Sequence, residues 1–280
     1  MVFIKYITII ISLLLNIIIA ILHQPKEVTC NSLYVFGDGL SDDGAEDDKL
    51  SYGFQRNSNG PIWSEYLRDR LNCKYYVNYA FSGAKSGYDN FYFKNWSGIH
   101  WQIEKFENDR HKLDKGSIII LQVGGIIDLL SGEVEHSEII NNFKKTLEIL
   151  TNSLKDGKII IMNLVDLSLA PGLLSNGSEK EPNDDLTISI ITINQQIRNI
   201  AVKATLNNRT NHHVDLRIFD LNTSSFKLIS NLNITKPFTY QSLTTTKSTV
   251  NEYAYYDSWH PTTIVHSGIA SDLIEFLEDH

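Results

Sequence analysis

Tyr34-Val35-Phe36-Gly37-Asp38-Gly39-Leu40-Ser41-Asp42-Asp43-Gly44 is the stretch whose reading decides the fold. Its first three residues are a short apolar run, and the Gly-Asp pair that follows breaks it. That order marks a buried strand running into a loop that carries polar chemistry. Four more apolar runs lie downstream: Tyr75–Tyr79, Ser117–Val123, Lys158–Leu164 and Val214–Phe219. With Leu33–Phe36 they predict five buried strands. Two of the runs contain Ile-Ile-Ile, a β-branched stretch apolar on both faces, as in a parallel sheet covered on each side. Helical periodicity falls between them, at Ile62–Leu71 after Pro61, Ile99–Phe106, Glu138–Leu154, Leu186–Ala204 and Ile264–Leu277. Strands alternating with helices predict βαβ units in a three-layer α/β/α sandwich. Residues 37–44, 82–87 and 124–128 are then loops at the carboxyl ends of strands, where sites in such sheets lie. Residues 166–184 and 223–258 read as long polar connections. No linker separates a second domain within 30–280.

The opening block resembles that of the GDSL esterases, or SGNH hydrolases, which write it Phe-Gly-Asp-Ser-Leu-Ser-Asp-x-Gly. Each position matches except the nucleophilic serine, which falls on Gly39. Glycine has no side chain and cannot form an acyl-enzyme. The resemblance runs over roughly residues 33–278 and implies a flavodoxin-like fold with a five-stranded parallel sheet. In Asn78-Tyr79-Ala80-Phe81-Ser82-Gly83-Ala84, Gly83 matches the residue whose N–H helps bind the oxyanion. A turn that needs glycine for its backbone geometry is the other reading, and both hold together. In Gly125-Ile126-Ile127-Asp128, Ile127 takes the place of the oxyanion asparagine, and isoleucine has no hydrogen to donate. The block Asp257-Ser258-Trp259-His260-Pro261 is intact. Its family roles are general base for His260 and orienting carboxylate for Asp257. Arg56–Trp63 also resembles family sequence. Trp63, Trp96, Trp101, Trp259, Tyr88 and Tyr92 are candidates for a sugar- or acyl-binding cleft, with ordinary core packing as the alternative for each.

Ser41, Ser82 and Ser258 lie close to these blocks in sequence. A two-residue displacement from Gly39 on a tight turn changes both direction and distance, which disfavours Ser41 as a substitute nucleophile. The reading is therefore an ester-hydrolase scaffold that binds an acylated carbohydrate or lipid without hydrolysing it. The alternative is an active esterase with an altered nucleophile. No cofactor is implied. His212-His213 and the two cysteines have no metal-ligand spacing.

A net charge of −8 over 280 residues argues against nucleic acid as a partner. Lys5 followed by the apolar stretch Ile7–Leu22 predicts a secretory signal peptide over 1–22 and an extracellular protein. An uncleaved N-terminal anchor is the alternative. Sequons at Asn95, Asn176, Asn208, Asn222 and Asn233 fit either glycosylation or chance in an Asn-rich chain. Export permits a disulfide between Cys30 and Cys73. The resemblance makes the first two strands parallel neighbours, and each cysteine stands seven residues before the end of its strand segment, at Gly37 and Ala80.

Overall fold

The computed structural model describes residues 28–44, 56–173, 183–208, 213–239 and 247–279. The signal-peptide stretch and the sequon at Asn176 lie outside the described residues. Five parallel strands form one sheet: β1 Ser32–Phe36, β2 Tyr75–Asn78, β3 Ser117–Gln122, β4 Asp156–Met162 and β5 His213–Phe219. Their order is β2-β1-β3-β4-β5. This is the flavodoxin-like order, with a topological switch point beside β1.

Strand periodicity sorts the core into two layers. Tyr34, Phe36, Ile119, Leu121, Ile159 and Ile161 face one side. Leu33, Val35, Ile118, Ile120, Ile160 and Met162 face the other. Helices α2 Ile99–Asn108, α4 His136–Ser153 and α5 Asp184–Asn208 cover the first face. Helices α1 Trp63–Arg70, α6 Leu221–Ile229 and α7 Thr263–Glu278 cover the second. The central strands β1 and β3 are buried along their whole length, which is why they read as continuous apolar runs.

Several boundaries differ from expectation. Pro61 precedes the cap of α1 and is not its first helical residue: Ile62 is the cap, and its N–H donates to Glu65 Oε2 at 2.9 Å. That acid three residues into the helix satisfies a terminal N–H that Pro61 could not have offered. The segment 124–128 is not all loop, because α3 spans Ile126–Ser131 behind Gly125. The connection from 223 is partly helical through α6, whose cap Asp220 accepts from the Thr223 N–H. A 3-10 turn spans Lys247–Glu252.

The disulfide Cys30–Cys73 is present, with Cα atoms 4.7 Å apart. It joins the chain just before β1 to the chain just before β2, at the sheet edge opposite the carboxyl ends.

Candidate functional site

The loops after β1, β2 and β3 meet at the carboxyl edge of the sheet and are tied together by buried polar side chains. Gln102 on α2 accepts from the Gly37 N–H at 3.0 Å and donates to the Gly37 carbonyl at 2.8 Å. Gln122, the last residue of β3, donates to Asp38 Oδ1 at 2.8 Å and accepts from Ser41 Oγ at 2.6 Å. Asp42 takes the Ser82 N–H at 2.8 Å, fixing the second block against the first. Asp128 takes the Ser86 N–H and hydroxyl, fixing the third against the second, and burial raises its carboxyl above the ordinary range. The motif blocks thus become one rigid frame.

His260 stands above this frame. Its Nδ1 lies 2.9 and 3.0 Å from the two carboxylate oxygens of Asp257. A carboxylate only accepts, so the imidazole donates from Nδ1 and presents Nε2 outward. Asp257 Oδ1 also accepts the N–H groups of Trp259 and His260. Burial pushes the Asp257 carboxyl up, but these donors and the His260 charge outweigh it and hold it below its ordinary value.

Gly39 lies directly under Nε2. A Cβ built on Gly39 would fall within van der Waals overlap of His260 Nε2 and 3.3 Å from Ser82 Oγ. The imidazole therefore fills the space above Gly39. Close packing favours this, since a void left beside a side chain forfeits contacts. The backbone of Gly39 does not lie in the left-handed region, so the residue is not glycine for conformational reasons. Gly83 differs. Its φ is +79°, and an added Cβ would approach Asn90 Oδ1 to 2.9 Å. Neither the Gly39 nor the Gly83 N–H finds an acceptor among the described residues.

Gly39, Gly83, Ile127, Asp257 and His260 all line one cavity of about 860 Å³. Ile127 contributes apolar wall, as does the more deeply buried Ile126. Asn57 and Ser82 also line it, and Asn57 Nδ2 donates to Ser82 Oγ at 2.5 Å. Ser41 is excluded from the cavity by its bonds to Gln122 and Trp63. Ser258 is exposed and is absent from the lining. Of the aromatic candidates only Trp259 and Tyr92 reach the cavity. Trp63 is fully buried in the core, Trp96 and Trp101 pack on Phe81, and Tyr88 packs on His100. Asp38, which also lines the cavity, has one carboxylate oxygen with no hydrogen-bond partner among the described residues, and burial raises its carboxyl above the ordinary range.

Sequence reasoning gave no role to Asp42 and Asn57, although both lie in the family-like stretches quoted above, and it missed Gln102 and Gln122. A signal existed for the latter two. Gln122 ends a run of Ile-Ile-Ile-Leu, and Gln102 shares the buried face of α2 with Ile99, Ile103 and Phe106. A buried amide in such company requires specific partners.

A doubly wound parallel sheet thus carries an Asp–His pair over the loop that follows its first strand. The model of the GDSL-like lipase/acylhydrolase family matches residues 33–273, and the chain belongs to that family. No curated protein matches it in sequence. Among solved structures, a lipolytic G-D-S-L family protein from Veillonella parvula superposes with TM-score 0.53 at 15% identity, covering 87% of this chain and 96% of its own. A catalytic mutant of an acetylxylan esterase from Geobacillus stearothermophilus gives 0.53 at 14% identity, over 90% and 96% of the two chains. A GDSL-like protein from Parabacteroides merdae gives 0.52 at 14%, over 90% and 97%. At such identities the likeness concerns the fold.

Proposed function

We propose that the protein is a secreted, non-hydrolysing member of its family that holds the acyl ester of a carbohydrate or lipid. The observation that carries this reading is the imidazole of His260 resting where a side chain at Gly39 would stand. An Asp–His pair remains, but it has no hydroxyl to activate at that position. Removing the serine alone from a triad protease costs about 10⁶ in turnover. The oxyanion side also lacks a donor at Ile127, a loss of about 10²–10³ in related sites. The two N–H groups at Gly39 and Gly83 are retained as ready donors for a carbonyl oxygen. Secretion is supported by the order of basic, apolar and polar residues at the N-terminus and agrees with the disulfide. Among the described residues no helix is long and apolar enough to cross a membrane.

Hydrolysis of short-chain aryl esters tests the reading. The protein is expected to show no turnover above that of its His260→Ala form. Ordinary enzyme rates that vanish in His260→Ala would overturn it. A second reading, an esterase with Ser82 as nucleophile, rests on the closeness of Ser82 Oγ to the Gly39 position. Against it, Ser82 makes no hydrogen bond to His260 and is held by Asn57. A fluorophosphonate probe followed by peptide mass spectrometry separates the two, since only the second predicts a label on Ser82.

A further inference from the structure

The cavity has a strongly uneven distribution of chemistry. At one end lie the N–H groups of Gly39 and Gly83, without acceptors among the described residues, and the outward Nε2 of His260. The rest of the wall is mostly apolar, with Ile126, Ile127, Leu167 and Leu173 lining it. The polar side chains elsewhere in the wall are largely committed. Asp166 accepts from the Ser168 N–H and the Thr187 hydroxyl, both at 2.8 Å. Gln122 is held by Asp38 and Ser41. The apolar surface continues outward, where Phe91, Tyr92 and Phe226 line the cavity yet are 58%, 66% and 43% exposed.

We propose that the cavity binds a long-chain fatty acid as its carboxylate. The head group sits at Gly39, Gly83 and His260, and the chain lies along the apolar wall toward Phe91 and Phe226. This rests on the non-hydrolysing reading of the site and puts the free acid in place of the acyl ester as its ligand. A sugar ring carries hydroxyls around its whole circumference, and each one buried without a partner is costly. A fatty acid carries polar atoms only at one end, where the unengaged donors are. A carboxylate also offers two strong acceptor oxygens, one for the N–H pair and one for the Nε2–H of an imidazolium formed when the acid passes its proton to Nε2, and hydrogen bonds between charged partners are the stronger kind. Two carboxyls neighbour this end. Asp257 is paired with His260, and Asp38 Oδ1 is held by the Leu40 N–H and Gln122, while burial raises the Asp38 carboxyl above its ordinary range.

Calorimetric titration of the mature protein with octanoate, decanoate, dodecanoate and tetradecanoate, each below its micelle concentration, tests the proposal. One site per chain is expected, with a raised Tm. Affinity should rise about fourfold per methylene, the equivalent of burying one CH₂, and level off once the cavity is filled. Methyl dodecanoate should bind at least roughly tenfold more weakly than dodecanoate, the equivalent of one charge-assisted hydrogen bond. His260→Gln should narrow that gap without changing the chain-length slope. Affinity independent of chain length, absence of binding, equal affinity for acid and ester, or tighter binding of an acetylated xylo-oligosaccharide would each overturn the proposal. Those results leave the non-hydrolysing reading standing. Turnover of methyl dodecanoate that disappears in His260→Ala would instead overturn that reading, while the chain-length series would still report on the cavity.

Discussion

Gly39 stands where the family carries its nucleophilic serine, and it supplies no hydroxymethyl group for the Asp257–His260 pair. The Gly39 backbone accepts an L side chain, so Gly39→Ser is not strained by its φ. The new Cβ would overlap His260 Nε2, however, and the ring must retreat toward Asp257, disturbing the 2.9 and 3.0 Å contacts that orient it. Gly39→Ser alone should therefore give only weak aryl-ester hydrolysis. Adding Ile127→Asn should raise kcat by about two orders of magnitude, because a donor regained on the oxyanion side lowers the barrier to that extent. Steady-state rates of the single and double variants check this, and equal rates would mean that Ile127 does not face the oxyanion. The positions of Gly39, Gly83, Asp257 and His260 were legible in the sequence because each sits in a short motif. The placing of the imidazole against Gly39 was not, since it depends on neighbours brought together only by the fold. The same holds for Asn57, which is close to Ser82 in space but 25 residues away in the chain.

At the scale of elements, the two cysteines pin the entries to β1 and β2 on the side away from the cavity. They close a loop with a sequence separation of 43 residues. The loop-entropy model gives about 4 kcal/mol for a loop of this length. Cys30→Ala/Cys73→Ala should accordingly lower Tm by roughly 10 °C. Because the bond lies at the opposite edge of the sheet, ligand affinity measured well below Tm should be unchanged. Loss of affinity in step with stability would show that the two edges are coupled. β1 and β3 were legible because burial along their whole length makes them uninterrupted apolar runs, whereas the edge strands β2 and β5, expected to be buried, are partly exposed, and β5 alternates apolar with polar residues. Two short helices were not legible. Helix α3 starts behind Gly125, whose φ of 134° is available to glycine and reads in sequence as a break. Helix α6 buries Ser224 and Ser225 alongside Leu221 and Ile229, and two inward serines erase the apolar period that would have announced it.

For the molecule as a whole, pH should act through a histidine that takes no part in the binding site. His266 on α7 is 1% exposed, and its Nδ1 accepts the N–H of Trp63 at 3.3 Å. Burial, assisted by the charges of His260 and Arg56, pushes its pKa down to about 3. The folded protein thus keeps His266 neutral while the unfolded chain protonates it near its ordinary value of about 6.5. As pH falls, the unfolded state binds the proton first. The stability contributed by a neutral His266 is complete above about pH 6.5 and is lost progressively between there and about pH 3. Within that window one unmatched proton corresponds to a slope of about 1.4 kcal/mol per pH unit. Asp38 acts in the opposite sense, because burial raises its carboxyl and favours the folded state at acid pH. Comparing the protein with its His266→Gln form cancels that contribution, since Asp38 is common to both. Glutamine offers a carbonyl oxygen to the Trp63 N–H and carries no titrating group. Denaturant unfolding at pH 7, 6, 5 and 4 should show the wild type losing stability faster than His266→Gln by close to that slope. Parallel curves would mean that His266 is protonated in the folded protein and that acid sensitivity arises elsewhere.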